Sequence, residues 1–181
     1  MATRGATHAG ACRRRCPPRS ACSPADSQPL GWLSPAALIS GSWYSARRDE
    51  LGAELAGWLE QADECCGAAR AVIAPHAGYS FSGPTAAWAY KHVQPAGISR
   101  VFILGPSHHF YTPRCSVSAC ASYATPLGDL ALDLDVVAAL RATGVFDVMD
   151  LSVDEAEHSI ELHLPYIAQA MGVQPDMGNT Y

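Results

Sequence analysis

The chain has little charge, no long apolar run and none of the common nucleotide-binding or zinc-protease signatures. Charged residues occupy 16% of its 181 positions and apolar residues 49%, which excludes wholesale disorder and leaves enough length to bury the core of one domain. No stretch approaches the roughly 18 consecutive apolar residues of a membrane span, and no secretory apolar segment opens the chain, so membrane insertion is not expected. The sign of the charge disfavours nucleic acid. The net value is −5, and residues 1–40 carry five arginines against one aspartate while residues 41–181 carry seven basic and sixteen acidic groups. An acidic body of this kind has no electrostatic footprint for a phosphate backbone.

No CxxC spacing occurs among the seven cysteines, at positions 12, 16, 22, 65, 66, 115 and 120. An odd, irregular set reads as free thiols in a soluble intracellular protein. Adjacent Cys65 and Cys66 rarely pair with each other and read as two plain thiols. Cys12, Cys16 and Cys22 with His8 fit no standard zinc finger. There is no Walker loop and no GxGxxG. Gly105-Pro-Ser107-His-His109 departs from a nucleophile elbow where His109 replaces the last glycine, and His158-Ser-Ile-Glu161-Leu-His163 has the wrong order for HExxH. Nucleotide binding and simple zinc proteolysis drop out.

What is present is a pair of strand-like runs that each end in a histidine-bearing turn. Ala71–Pro75 runs into His76, and Val101–Leu104 runs through Gly105 and Pro106 into Ser107, His108 and His109. Between them, Pro84–Val93 is expected as a helix with Pro84 in its first turn, which completes a βαβ unit. The fold class is therefore α/β, an open and mostly parallel sheet with flanking helices, and ligands collect at the strand ends of such sheets. Adjacent parallel strands lie about 4.8 Å apart, so His76 and His108 can reach one ion. Neutral imidazole suits iron, copper or zinc. His109 then points elsewhere, with a hydrogen-bonding or supporting role.

The remaining elements frame this pair. Arg47–Ala62 is expected as a helix with Leu51, Leu55, Trp58 and Leu59 on one stripe, and Trp43 lies outside that stripe as a candidate pocket wall. Cys115–Ala119 alternates like a strand, and a turn centres on Pro126 and Gly128. A helix capped by Asp133 or Asp135 ends at Thr143-Gly144, followed by a strand over Phe146–Leu151. From Asp154 onwards Ile160, Leu162 and Leu164 alternate like a strand, but the stripe of Ile160, Leu164, Ile167 and Met171 favours a helix that Pro165 kinks or restarts. Asp154 and Glu155 read as a solvated helix start. Glu157, His158 and Glu161 could supply a third ligand, a general base or an outer partner of the ligands, whereas His92 and His163 read as packing or surface residues. Residues 1–38 are expected as a disordered extension, 39–171 as the folded portion and 172–181 as an irregular tail.

Four motifs in order, Gly41-Ser-Trp-Tyr44, Ile73-Ala-Pro-His-Ala-Gly-Tyr79, Phe102-Ile-Leu-Gly-Pro-Ser-His-His109 and Asp154-Glu-Ala-Glu-His-Ser-Ile-Glu-Leu-His-Leu-Pro-Tyr166, resemble the Memo family. These are mediators of cell motility whose domain is similar to class III extradiol ring-cleaving dioxygenases. The resemblance implies that His76 and His108 are the first two ligands of a copper or iron ion, and that Trp43, Tyr79 and Phe81 line the vestibule, Phe81 standing where relatives carry tyrosine. It implies a cytoplasmic and nuclear signalling protein that links phosphotyrosine-bearing receptor tails to cytoskeletal partners, microtubules and migration. Copper- or iron-dependent oxidoreductase activity is the alternative, and the resemblance names no catalytic residue. Ile39 stands where relatives place a histidine. The second half of the family domain, with the cysteine that would be the third ligand, has no counterpart after Met171. A truncated product with an incomplete, inactive site is therefore a further expectation.

Overall fold

The apolar stripe of the first helix sets the core. Leu51 and Leu55 of α1 (Arg48–Gln61) are wholly buried, and burying a leucine side chain contributes about 1.5–3 kcal/mol. The computed structural model describes residues 38–173. The readings made for residues 1–37, including the Cys12, Cys16 and Cys22 cluster, and for 174–181 lie outside the described residues.

Against α1 packs α2, Tyr79–Tyr90. It starts five residues before the expected Pro84, because the Tyr79 amide donates to the Trp43 carbonyl at 2.8 Å and the Ser82 hydroxyl to the Ala77 carbonyl at 2.7 Å. Those bonds hold the first turn from outside and leave Pro84 inside the helix rather than at its start. At Gly83 a Cβ would stand 2.3 Å from the Trp58 ring, so α1 and α2 approach as closely as they do only because that position lacks a side chain. The Gly83 carbonyl accepts the Tyr166 hydroxyl at 2.6 Å, which ties α2 to the C-terminal helix. Tyr44, Tyr79, Ala87, Leu162, Tyr166 and Ile167 complete this core.

The expected strands at 71–75 and 101–104 do not form a ladder. Among the described residues, pairing is confined to two small sheets and an isolated bridge between Ser40 and Tyr44. In one, β1 (Cys115–Val117) pairs in parallel with β4 (Phe146–Val148); in the other, β2 (Ser122–Tyr123) pairs antiparallel with β3 (Leu130–Ala131) around the Pro126–Gly128 turn. The fold is mixed α/β, but the single open sheet of the sequence reading is absent. Residues 71–76 and 101–104 nevertheless keep the alternation of extended chain. Val72, Ala74, His76, Val101 and Ile103 turn inward, while Ile73, Phe102 and Leu104 are 98%, 66% and 90% exposed. An apolar pattern specifies which face is covered, whereas a ladder also needs a neighbour with matching free N–H and C=O groups.

α3, Leu134–Ala142, is capped by Asp133, whose carboxylate accepts the Val136 amide at 3.0 Å. The segment after Asp154 is helical as expected but broken twice, into α4 (Leu151–Ala156), α5 (His158–Glu161) and α6 (Leu164–Met171), with Pro165 in the first turn of α6 and Gly172 closing it at φ 67°. No helix among the described residues is long and apolar enough to cross a membrane.

Candidate metal centre

The two extended segments end side by side. The His76 and His108 rings lie 5.3 Å apart between centroids, although no ladder joins their strands. His158, the first residue of α5, stacks on His108 at 4.0 Å and lies 5.8 Å from His76. One ring nitrogen from each of the three falls within 4.8 Å of the others.

Glu157 organises this cluster, and the helix break places it. At Glu157 the backbone leaves the helical region (φ −83°, ψ 124°), so the residue ends α4 and caps α5 instead of continuing the spiral. Its Oε2 accepts the His108 amide at 2.6 Å, and its Oε1 accepts His108 Nδ1 at 2.7 Å and the Ser159 amide at 2.9 Å. An ionised carboxylate can only accept, so His108 Nδ1 carries a proton and the neutral ring has its lone pair on Nε2, the arrangement that orients a metal-binding imidazole. Burial pushes the Glu157 carboxyl up, but the amides of His108 and Ser159 and their side chains outweigh it and hold the group at about 2. It is charged at neutral pH.

Ser159 ties α5 to the histidine turn. Its hydroxyl, completely buried, donates to the Pro106 carbonyl at 2.8 Å. A Cβ on Gly105 would meet that hydroxyl at 2.6 Å, so the turn reaches α5 only with glycine there. Burial lowers the His158 pKa, and the neighbouring His108, His76 and His109 rings lower it further while Glu157 opposes them; burial and then His76 lower that of His163. Both rings are thereby held in the neutral form that ligates metals. Three converging imidazoles, one held by a carboxylate, fit copper, iron or zinc.

The other sequence candidates are distributed around this cluster. Trp43 stands beside His158, ring centroids 5.0 Å apart, and His109 lies 6.1 Å from the same ring. Tyr79 is in the core, its hydroxyl donating to the Leu162 carbonyl at 2.8 Å, and Phe81 is 84% exposed. Glu161 faces the opposite way, accepting the Tyr44 hydroxyl at 2.8 Å and the Ile39 amide at 3.3 Å, so it ties α5 to the segment before α1. Asp154 is buried rather than solvated and accepts from Ser118 Oγ at 2.5 Å and the Tyr123 hydroxyl at 2.9 Å. His163, read from sequence as a packing or surface residue, lies 6.5 Å from His76 with Nδ1 on the Tyr90 hydroxyl at 2.8 Å. No local spacing flags it, since residues five apart on a helix lie about 140° round rather than on one face. A pocket of about 210 Å³ shares only Glu157 with the cluster and is lined by Val101, Ile103, Val136 and Ile160 with polar Arg100 and Asp154; none of the histidines lines it.

Comparison with known proteins places this geometry in a family. Protein MEMO1 of Danio rerio is 56% identical over 132 residues, 73% of this chain and 44% of its own length. Protein MEMO1 of Homo sapiens is 51% identical over 137 residues, 76% of this chain and 46% of its own, and protein memo-1 homolog of Caenorhabditis elegans is 50% identical over 133 residues, 74% and 38%. The chain thus spans a little under half the length of these curated relatives. The family described as Memo-like protein matches residues 36–177 and takes in every residue of the histidine cluster, so the chain belongs to the Memo-like family.

Proposed function

We propose that the chain is a metal-binding signalling protein of the Memo type, with copper or iron held by His76 and His108 and with His158 as the third imidazole. The observation that carries this reading is the Glu157 carboxylate on His108 Nδ1 at 2.7 Å, because a buried carboxylate that fixes the tautomer of an exposed-side ring is the support a ligand imidazole needs. Bound copper or iron supplies one-electron redox chemistry. The chain's own part is to keep the His158 ring neutral, to orient His108 through Glu157, and to wall one side with Trp43. An extradiol-dioxygenase-like arrangement of the whole family domain is part of the same proposal. So are phosphotyrosine-bearing receptor tails and cytoskeletal proteins as partners, in the cytoplasm and nucleus.

The test is metal content and affinity of the full chain beside a His76→Ala/His108→Ala variant. The wild-type chain takes up one equivalent of copper or iron that the variant lacks; equal binding by the two removes the site. Redox turnover that disappears in His108→Ala marks an oxidoreductase. Phosphopeptide affinity that survives both metal removal and that substitution marks an adaptor.

A further inference from the structure

Two thiols and a buried imidazole meet away from the histidine cluster, where the loop after α1 crosses the end of α2. Cys65 and Cys66 are exposed, whereas His92 has only 6% of its surface exposed. Cys65 Sγ lies 3.5 Å from His92 Nε2. Cys66 Sγ lies 3.7 Å from Nε2 and 3.9 Å from Nδ1, so it stands beside the ring, and Cys65 is the sulfur closer to Nε2.

We propose that Cys65 is a nucleophilic thiol with His92 as its base, a modification site at which small-molecule disulfides form a mixed disulfide with the chain. An activated thiol needs a base within hydrogen-bond reach and a third group that orients the base. All three are present. His92 Nδ1 lies 2.9 Å from the Gly67 carbonyl, an acceptor only, so Nδ1 carries a proton and the neutral ring has its lone pair on Nε2, the atom beside Cys65. Gly67 adopts φ 69°, a left-handed conformation natural to glycine, and this turn folds the loop back so that its carbonyl reaches the ring. The Ala69 amide holds the same crossing by donating to the His92 carbonyl at 2.8 Å.

Cys66 supports the reaction without competing for it. Its Sγ is 3.6 Å from that of Cys65, and this contact raises the Cys66 pKa above its ordinary value, so Cys66 stays a thiol that donates its S–H to the sulfur of Cys65. In the reaction the Cys65 proton passes to His92 Nε2, the sulfur attacks one sulfur of the disulfide RSSR, the S–S bond breaks, and the departing thiolate takes the proton from Nε2. The products are Cys65–S–SR and RSH. The Cys65 sulfur is oxidised, the departing sulfur is reduced, and His92 ends neutral. Adjacent Cα atoms stand about 3.8 Å apart across a trans peptide, short of the roughly 4.4–6.8 Å usual for a disulfide, so Cys66 does not displace the bound group and the mixed disulfide persists.

The full chain, reduced and with EDTA present so that no metal at the histidine cluster takes part, is treated with oxidised glutathione at pH 7, and peptide mass spectrometry follows each cysteine in time. Cys65 gains glutathione about 10-fold or more faster than exposed Cys115, short of the roughly 10²–10⁴-fold of general bases in enzymes, and retains it. His92→Gln brings Cys65 down to the rate of Cys115, whereas in Cys66→Ser the residue at 65 remains the faster. Because a buried ring is replaced in the first variant, ¹⁵N NMR of His92 reads the pairing independently: the Nε2 resonance shifts more in Cys65→Ala than in Cys66→Ala. Equal rates at Cys65 and Cys115, a folded His92→Gln that keeps the difference, an Nε2 resonance indifferent to Cys65→Ala, or a Cys65–Cys66 disulfide as the end product each overturn the proposal.

Discussion

Replacing Glu157 by glutamine tests the histidine cluster at its support rather than at a ligand. The carboxylate takes three N–H donors on its two oxygens, His108 N on one and His108 Nδ1 with Ser159 N on the other. Glutamine keeps the shape but has one oxygen, and its amide nitrogen cannot accept. If the oxygen stays with Nδ1 and Ser159, the amide faces the His108 N–H, donor against donor; if it flips, two donors are orphaned. A buried donor left without a partner costs about 1–3 kcal/mol, so the urea midpoint of Glu157→Gln falls by the corresponding amount. Losing the support of a ligand imidazole reduces metal affinity about 10–100-fold, or about 1.4–2.7 kcal/mol. Competition titration with copper(II) and iron(II) reads the second quantity, and long-range ¹H–¹⁵N NMR of the His108 ring reads its tautomer. Ser159→Ala is the control: it removes the tether to Pro106 at about 1 kcal/mol and leaves the partner of Nδ1 in place, so its metal affinity stays near wild type. If Glu157→Gln folds, keeps the His108 tautomer and binds copper and iron as the wild type does, the carboxylate is not a ligand support and the reasoning fails.

Two further outcomes concern the fold around the site. Gly83→Ala puts a methyl group 2.3 Å from the Trp58 ring and lowers stability by about 1–3 kcal/mol in chemical denaturation; Trp58→Leu in the same chain recovers part of that loss, and strictly additive losses would mean the ring is not the obstacle. Burial raises the Asp154 carboxyl above its ordinary value, with Ser118 and Tyr123 opposing. The folded state therefore binds more protons than the unfolded one above the ordinary carboxyl pKa, and stability falls as pH rises from there through the raised value. Asp154→Asn removes this contribution, so its urea midpoint rises relative to that of the wild type between pH 4 and neutrality; parallel profiles would refute the assignment.

What could be read from the sequence was whatever depends on short-range pattern. The stripe of α1, the Asp133 cap of α3, and the extended runs that deliver His76 and His108 all rest on neighbours within a turn or two, and the structure has them. Strand pairing at 71–75 and 101–104 does not follow from such patterns, since alternation identifies a covered face but not a hydrogen-bonding neighbour. The role of Glu157 was equally hidden. Helical periodicity runs through it unbroken, yet the backbone turns out of the helix at that residue, sending Glu157 to His108 and Glu161 to Tyr44. Asp154 at a helix start looked solvated because nothing local announces Ser118 and Tyr123, 36 and 31 residues earlier. Adjacent Cys65 and Cys66 lie 27 and 26 residues before His92 and meet it where the loop turns at Gly67.

The alternation of residues 71–76 has a genetic corollary. Inward Val72, Ala74 and His76 share parity, and so do outward Ala71, Ile73 and Pro75. Substitutions on the outward set change one side chain each and leave His76 where it is. Loss or gain of a single codon before His76 reverses the parity of one stretch relative to the other: either the packed positions exchange with the open ones, or the imidazole turns from the cluster to solvent. In this segment an in-frame deletion of one residue is thus a heavier lesion than several missense changes.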